Sequence, residues 1–308
     1  MTATQFHGII PPVVTPFTPD GRVDHDALAG VVEHLLAGGV HGLFPLGSTG
    51  QVAYLTEADR RAIIDTVVRT TAGRVPVIAG AIDLTAARIR EGARALIDAG
   101  ADAIVATAPV YTINDEAEIE DHFRIIADGL GVPLFAYDIP VRVHRKLSAG
   151  MLVRLGQDGV IVGVKDSSGD DVGFRRLIAA NRAAGQPLRL FTGHEVVVDA
   201  MALIGADGAV PGLANVDPGA YVRLWQAAQA GDMTRAVAEQ EHLARLFEIA
   251  FRPQGRSGDA AGVGAFKVAM AELGIIPHAT MPAPLRDLDA ATRDQIRTIL
   301  HEVGLLAR

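Results

Sequence analysis

The chain has 308 residues, is 49% hydrophobic and only 5% aromatic, and carries a formal charge of −8, which leaves no basic stripe for nucleic acid. Its lack of cysteine excludes disulfides, thiolate metal sites and thiol nucleophiles, and suits a reducing compartment. MTATQFHGIIPPVV has no basic n-region and is broken by two prolines, so it does not read as a signal peptide; with no uncharged apolar run near the ~18 to 20 residues that span a bilayer, the expectation is a cytoplasmic protein acting on a small molecule, with no nucleic-acid or membrane partner.

Short runs of Val, Ile, Leu, Ala and Gly alternate with amphipathic stretches along the whole chain. GIIPPVV (8–14) opens the series, and HDALAGVVEHLLAGG (25–39) follows with apolar residues three and four apart and a glycine stop, which predicts a helix. VHGLFPLG (40–47) is the second candidate strand, EADRRAIIDTVVRTT (57–71) a helix, VPVIAG (75–80) the third strand and AARIREGARALIDAG (86–100) another helix. ADAIVAT (101–107), VPLFAY (132–137), VIVGVK (160–165), LRLFT (188–192) and DGAVPG (207–212) bring the candidate strands to eight. Apolar strands joined by helices imply parallel pairing through right-handed crossovers, and eight such units predict a closed (β/α)8 barrel, a TIM barrel. An open doubly wound sheet is the rival, but TPFTPDGRV after the first run has no GxGxxG turn. From residue 217 helix follows helix: PGAYVRLWQAAQAG, TRAVAEQEHLARLFEIAF, GVGAFKVAMAELG and DAATRDQIRTILHEVGLL, with FRPQGRSGD (251–259) as a connecting loop. The predicted organisation is a catalytic barrel over 1–233 and a C-terminal three-helix extension over 234–308, packed on the barrel.

Chemistry in such a barrel sits at the C-terminal strand ends. Those ends carry GSTGQ (47–51), TAPVYT (107–112), YDIPVR (137–142) and Lys165. A lysine closing an apolar strand is unusual, since an ammonium taken out of water loses solvation. An amine attacks a carbonyl only when unprotonated, and free lysine has a pKa of about 10.4, which an apolar strand end lowers. Attack on a 2-keto acid gives an imine whose cationic nitrogen makes the adjacent carbon acidic enough to form an enamine. A tyrosine hydroxyl nearby relays the protons, and the N–H and hydroxyl groups of Gly47, Ser48, Thr49 and Gly50 suit a carboxylate.

These residues resemble those of the dihydrodipicolinate synthase and N-acetylneuraminate lyase family of class I, Schiff-base aldolases. The likeness covers essentially the whole chain and rests on TPF (15–17), GSTG (47–50), APVY (108–111), Tyr137 to Pro140, GVKD (163–166) and GADGAVPGLAN (205–215). It implies a (β/α)8 barrel with a C-terminal helical extension, a homotetramer built from tight dimers, and no metal or organic cofactor. It also implies that Lys165 forms the imine, that Tyr137 relays protons, and that Ser48 and Thr49 meet the pyruvate carboxylate and extend the relay. On the same resemblance Tyr111 reaches the active site of a neighbouring subunit, the Val210 carbonyl faces the pyruvyl group, and Arg142 binds the carboxylate of the second substrate. The implied activity is most like 4-hydroxy-tetrahydrodipicolinate synthase, joining pyruvate to aspartate semialdehyde; a 2-keto-3-deoxy sugar acid aldolase or related pyruvate-releasing lyase is the alternative. The chain departs from the synthase pattern with Ser48 for Thr, Gln51 for Glu, Asp138 for Asn, and Val143-His144 for Thr-Gly. Val110 replaces a tyrosine that contributes to lysine binding, so feedback inhibition by lysine is not expected.

Two further readings stand beside this one. A metal-dependent aldolase would draw on His194, Glu195, Asp138 and Asp166, although the HExxH spacing is absent. A keto-acid binding protein on a decayed barrel would explain the altered residues Gln51 and Asp138.

Overall fold

The computed structural model describes residues 6–307. Seven parallel strands form one sheet: β1 (Gly8–Ile9), β2 (Ile78–Gly80), β3 (Ala103–Thr107), β4 (Leu134–Asp138), β5 (Gly163–Asp166), β6 (Arg189–Thr192) and β7 (Gly208–Ala209). Their order is β1-β7-β6-β5-β4-β3-β2, and almost every strand residue is buried. Burial on both faces is the reason these strands read as continuous apolar runs rather than as alternations. The helices are α1 (His25–Ala37), α2 (Glu57–Thr71), α3 (Ala86–Asp98), α4 (Glu116–Ala127), α5 (Pro140–Val143), α6 (Ala149–Gln157), α7 (Asp171–Ala183), α8 (Val198–Ile204) and α9 (Pro218–Gln229), followed by α10 (Met233–Phe247), α11 (Gly258–Glu272) and α12 (Ala290–Glu302). Asp24, Thr56, Thr85, Asp115 and Ser148 each cap a helix by accepting a backbone N–H from the first turn, which is why the predicted starts of α1 to α3 lie within one residue of the observed ones.

The second predicted strand, 40–47, is not a regular strand, yet its place in the cylinder is filled. Phe44 bridges Pro12 and Leu43 bridges Val77, both in parallel sense. The His41 and Phe44 amides donate to the Ile9 and Pro11 carbonyls, and the Ile78 and Gly80 amides to those of Leu43 and Pro45. Prolines at 11, 12, 45 and 76 have no N–H to give, so the ladder is interrupted. Segment 41–45 nonetheless closes the barrel between β1 and β2. The fold is a (β/α)8 TIM barrel carrying a C-terminal helical extension, and α11 packs on the turn Gly212–Asn215 at the strand-end rim. Among the described residues no helix is long and apolar enough to cross a membrane.

Candidate active site

Lys165 stands third of the four residues of β5 and is 7% exposed. Register sets it beside Tyr137 of β4, with Asp138 beside Asp166 one step further. The Lys165 Nζ lies 4.1 Å from the centre of the Tyr137 ring and 4.8 Å from that of Phe44, and the two rings meet edge to face. The amine is therefore walled by aromatic faces, the geometry that attracts a cation and shields it from water. Burial opposes ionisation of the Tyr137 phenol, but the positive charge of Lys165 and the hydroxyls of Ser48 and Ser167 outweigh it and hold the phenol below its ordinary 10.0. A phenol with eased ionisation next to an amine is the kind of group that can pass a proton in imine chemistry.

The loop 47–50 turns over this pair. Leu46 and Gln51, which bracket it, both have left-handed backbone conformations, with φ of 62° and 58°, so the turn is tight and held from outside. A side chain at Gly47 would strike the Phe44 ring at 2.7 Å, which lets the loop lie directly on the wall of the amine pocket. The Thr15 hydroxyl donates to the Gly50 carbonyl at 2.8 Å. Thr49 faces Gly212, whose absent side chain leaves the space in front of its hydroxyl. Val210, one residue past β7, is buried and donates its amide to the Thr192 carbonyl at 2.8 Å.

Two predicted site residues stand apart. Tyr111 is 84% exposed on the loop after β3. Arg142, on α5, is turned to Asp259 of α11 in a two-pronged ion pair, Nη1 to Oδ2 at 3.0 Å with Nη2 on Oδ1. Arg142 and Asp259, but not Tyr111, line a cavity of about 130 Å³ that also touches Ser48, Tyr54 and Thr107. Thr107 is buried and its hydroxyl has no protein partner.

Sequence reasoning passed over several neighbours of the amine. Phe44 sat in the second candidate strand, and Ser167 directly follows the lysine strand; both were visible as rim positions. Glu195 was considered only as a metal ligand. Burial pushes its carboxyl up to about 7 against the pull of the Leu213 and Gly212 amides and of Lys165, and Leu213 donates to it at 2.6 Å. Burial likewise raises Asp138 to about 6, despite Lys146, which bonds both Asp138 and Asp166. His194 faces Asp171 at 3.0 Å. Among the described residues no three His, Asp or Glu side chains converge as metal ligands do.

The model of the dihydrodipicolinate synthetase family matches residues 5–303. The chain belongs to that family. A 4-hydroxy-tetrahydrodipicolinate synthase of Phenylobacterium zucineum is 32% identical, with 99% of this chain and 100% of the relative covered. An uncharacterized DapA-like lyase of Halobacterium salinarum is 31% identical over 97% of this chain and 95% of its own length. Among solved structures, the E. coli K12 prophage protein YagE, a member of the dihydrodipicolinic acid synthase family crystallised with pyruvate, superposes with a TM-score of 0.91 at 28% identity, covering 98% of this chain and 99% of that one. The dihydrodipicolinate synthase of Bacteroides thetaiotaomicron gives 0.90 at 31% identity, covering 96% and 98%. As a member of this family the chain is an enzyme of the class I aldolase and lyase type, pyruvate-dependent.

Proposed function

We propose that Lys165 forms an imine with pyruvate and that the enzyme makes or breaks a bond between the derived enamine and an aldehyde. The observation that carries this is the Lys165 amine lying 4.1 Å from the Tyr137 ring on the adjacent strand. The lysine nitrogen attacks the keto carbon, water leaves, and the imine nitrogen draws electrons so that the methyl group loses a proton and becomes the nucleophile. Tyr137, flanked by Ser48 and Ser167, carries the protons for addition and for loss of water. Gly47 to Gly50, with the Ser48 and Thr49 hydroxyls, seats the carboxylate, and the Val210 carbonyl faces the pyruvyl group. Sodium borohydride added with pyruvate should reduce the imine and leave an adduct on Lys165, located by mass spectrometry; Lys165→Ala should leave none. An unmodified Lys165 in the parent protein overturns the reading.

Two aldehyde partners come into question. The names of relatives favour aspartate semialdehyde, with Arg142 taking its carboxylate. The pairing of Arg142 with Asp259 favours the other, an uncharged hydroxylated aldehyde of the 2-keto-3-deoxy sugar acid type, because the guanidinium charge is already answered. A hydroxyl can bond both members of the pair without parting them, whereas a carboxylate must displace Asp259 or sit beside it. We infer that the sugar-aldehyde reading fits this pocket better. We further propose that the enzyme works in the cytoplasm, organised as barrel 1–233 plus extension 234–308, in a homotetramer where the Tyr111 of one copy completes the site of its neighbour.

A further inference from the structure

Lys267 has no part in the chemistry above, yet among the described residues it is the most deeply enclosed cation of the extension. It lies within α11 with no solvent exposure, and its Nζ donates to the Gln51 side-chain carbonyl at 2.6 Å and to the Thr280 carbonyl at 3.0 Å, 4.4 Å from the centre of the Phe17 ring. Gln51 and Thr280 are neutral, and the charged group that acts on it is Asp287, one of whose oxygens accepts the Met281 amide at 2.8 Å. A buried ammonium is normally paired with a carboxylate; this one is spent on an amide oxygen. Gln51 is itself 3% exposed, ends the 47–50 loop in the left-handed conformation, and donates its amide to the Ser48 carbonyl at 3.0 Å. The far end of the loop is thus held at two consecutive residues, Gly50 by Thr15 and Gln51 by Lys267. A non-glycine residue keeps such a backbone only where its surroundings enforce it.

We propose that Lys267 is a positioning residue: by fixing Gln51 it holds the Gly47–Gly50 loop in the shape that receives the keto acid's carboxylate. It touches no substrate and acts wholly through Gln51. This rests on the loop being the carboxylate seat, and the measurement below separates the two ideas. Desolvation lowers the Lys267 amine from 10.5 to about 7, partly countered by Asp287. It therefore loses its proton as pH rises through neutrality, and the bond to Gln51 weakens with it.

The test uses the full chain and reads the pyruvate concentration that gives half-maximal borohydride trapping on Lys165. Lys267→Met and Gln51→Ala should each raise that concentration by about tenfold or more while the adduct still forms at saturation, the loss expected for one charged hydrogen bond. In the parent protein the half-saturating concentration should climb several-fold between about pH 7 and about pH 9, as the amine discharges. Gln51→Glu supplies an opposite charge, keeps the amine protonated, and should flatten that rise. A Lys267→Met protein that melts at lower temperature but keeps the parent's half-saturation within about twofold makes the residue merely structural and overturns the proposal. A Gln51→Glu profile that follows the parent's overturns it too, and the Gln51 variants decide should Lys267→Met not fold. A parent protein with no adduct at any pyruvate concentration instead removes the underlying reading of the site.

Discussion

Asp259 reaches Arg142 from α11 and presents both of its oxygens to the guanidinium. The two side chains are 32% and 43% exposed, so the pair contributes little to stability, and its consequence is for specificity. Asp259→Asn removes the charge and keeps the size. It should shift the ratio of kcat/KM for aspartate semialdehyde over glyceraldehyde upward by about tenfold, equivalent to about 1.4 kcal/mol of transition-state discrimination. Steady-state assays with both aldehydes and saturating pyruvate check this; an unchanged ratio removes Asp259 from specificity. Lys165 and Tyr137 were legible in the sequence because each ends an apolar run, and parallel strands bring run ends to one rim. The Asp259 partner was not, since it lies 117 residues from Arg142, in a loop-to-helix segment with no periodic signal linking it to the barrel. The same holds for Lys267, which the sequence shows only as one lysine within the apolar stretch AAGVGAFKVAMA (260–271).

Among the elements, the third predicted strand carries a steric demand matched only at Gly193 and at Gly208 of β7. A Cβ on Gly80 would fall 2.1 Å from the Leu46 carbonyl oxygen, and backbone cannot yield as the end of a flexible side chain can. Gly80→Ala should cost about 2 kcal/mol or more of unfolding free energy and reduce pyruvate trapping by displacing the loop that begins at Gly47. Gly92→Ala, within α3 and with no contact closer than 3.8 Å, should be neutral or stabilising by up to about 1 kcal/mol. Urea unfolding of both variants measures the difference, and equal effects would contradict the assignment. Apolar runs with glycine stops revealed seven of the eight barrel positions as strands. The run at 40–47 has the composition of a strand but lies among neighbours rich in proline, and its loss of regular pairing depends on which carbonyls face those prolines across the barrel, a tertiary fact with no local signature. The short helix α5 was hidden for the opposite reason: Pro140 starts it within a segment that reads simply as a strand exit.

For the molecule as a whole, the loop after β3 holds Tyr111 at 84% and Ile113 at 95% exposure, two large apolar side chains presented together to solvent. Such a pair is better accounted for by a covering surface than by an isolated chain, in keeping with the proposed assembly. Sedimentation should find the protein associated at micromolar concentration, and Tyr111→Ala should lower kcat by about tenfold or more with trapping at Lys165 retained; a fully active monomer would refute the shared site. Segment 41–45, finally, makes only one ladder bridge to each flank although backbone hydrogen bonds tie it on both sides, and it leads straight into the turn proposed to seat the carboxylate. The barrel position with no regular ladder thus lies beside the mouth, across the cylinder from the lysine strand, and local opening is expected to begin there sooner than at β5. Amide protons of residues 41–45 should then exchange faster than those of β4 and β5.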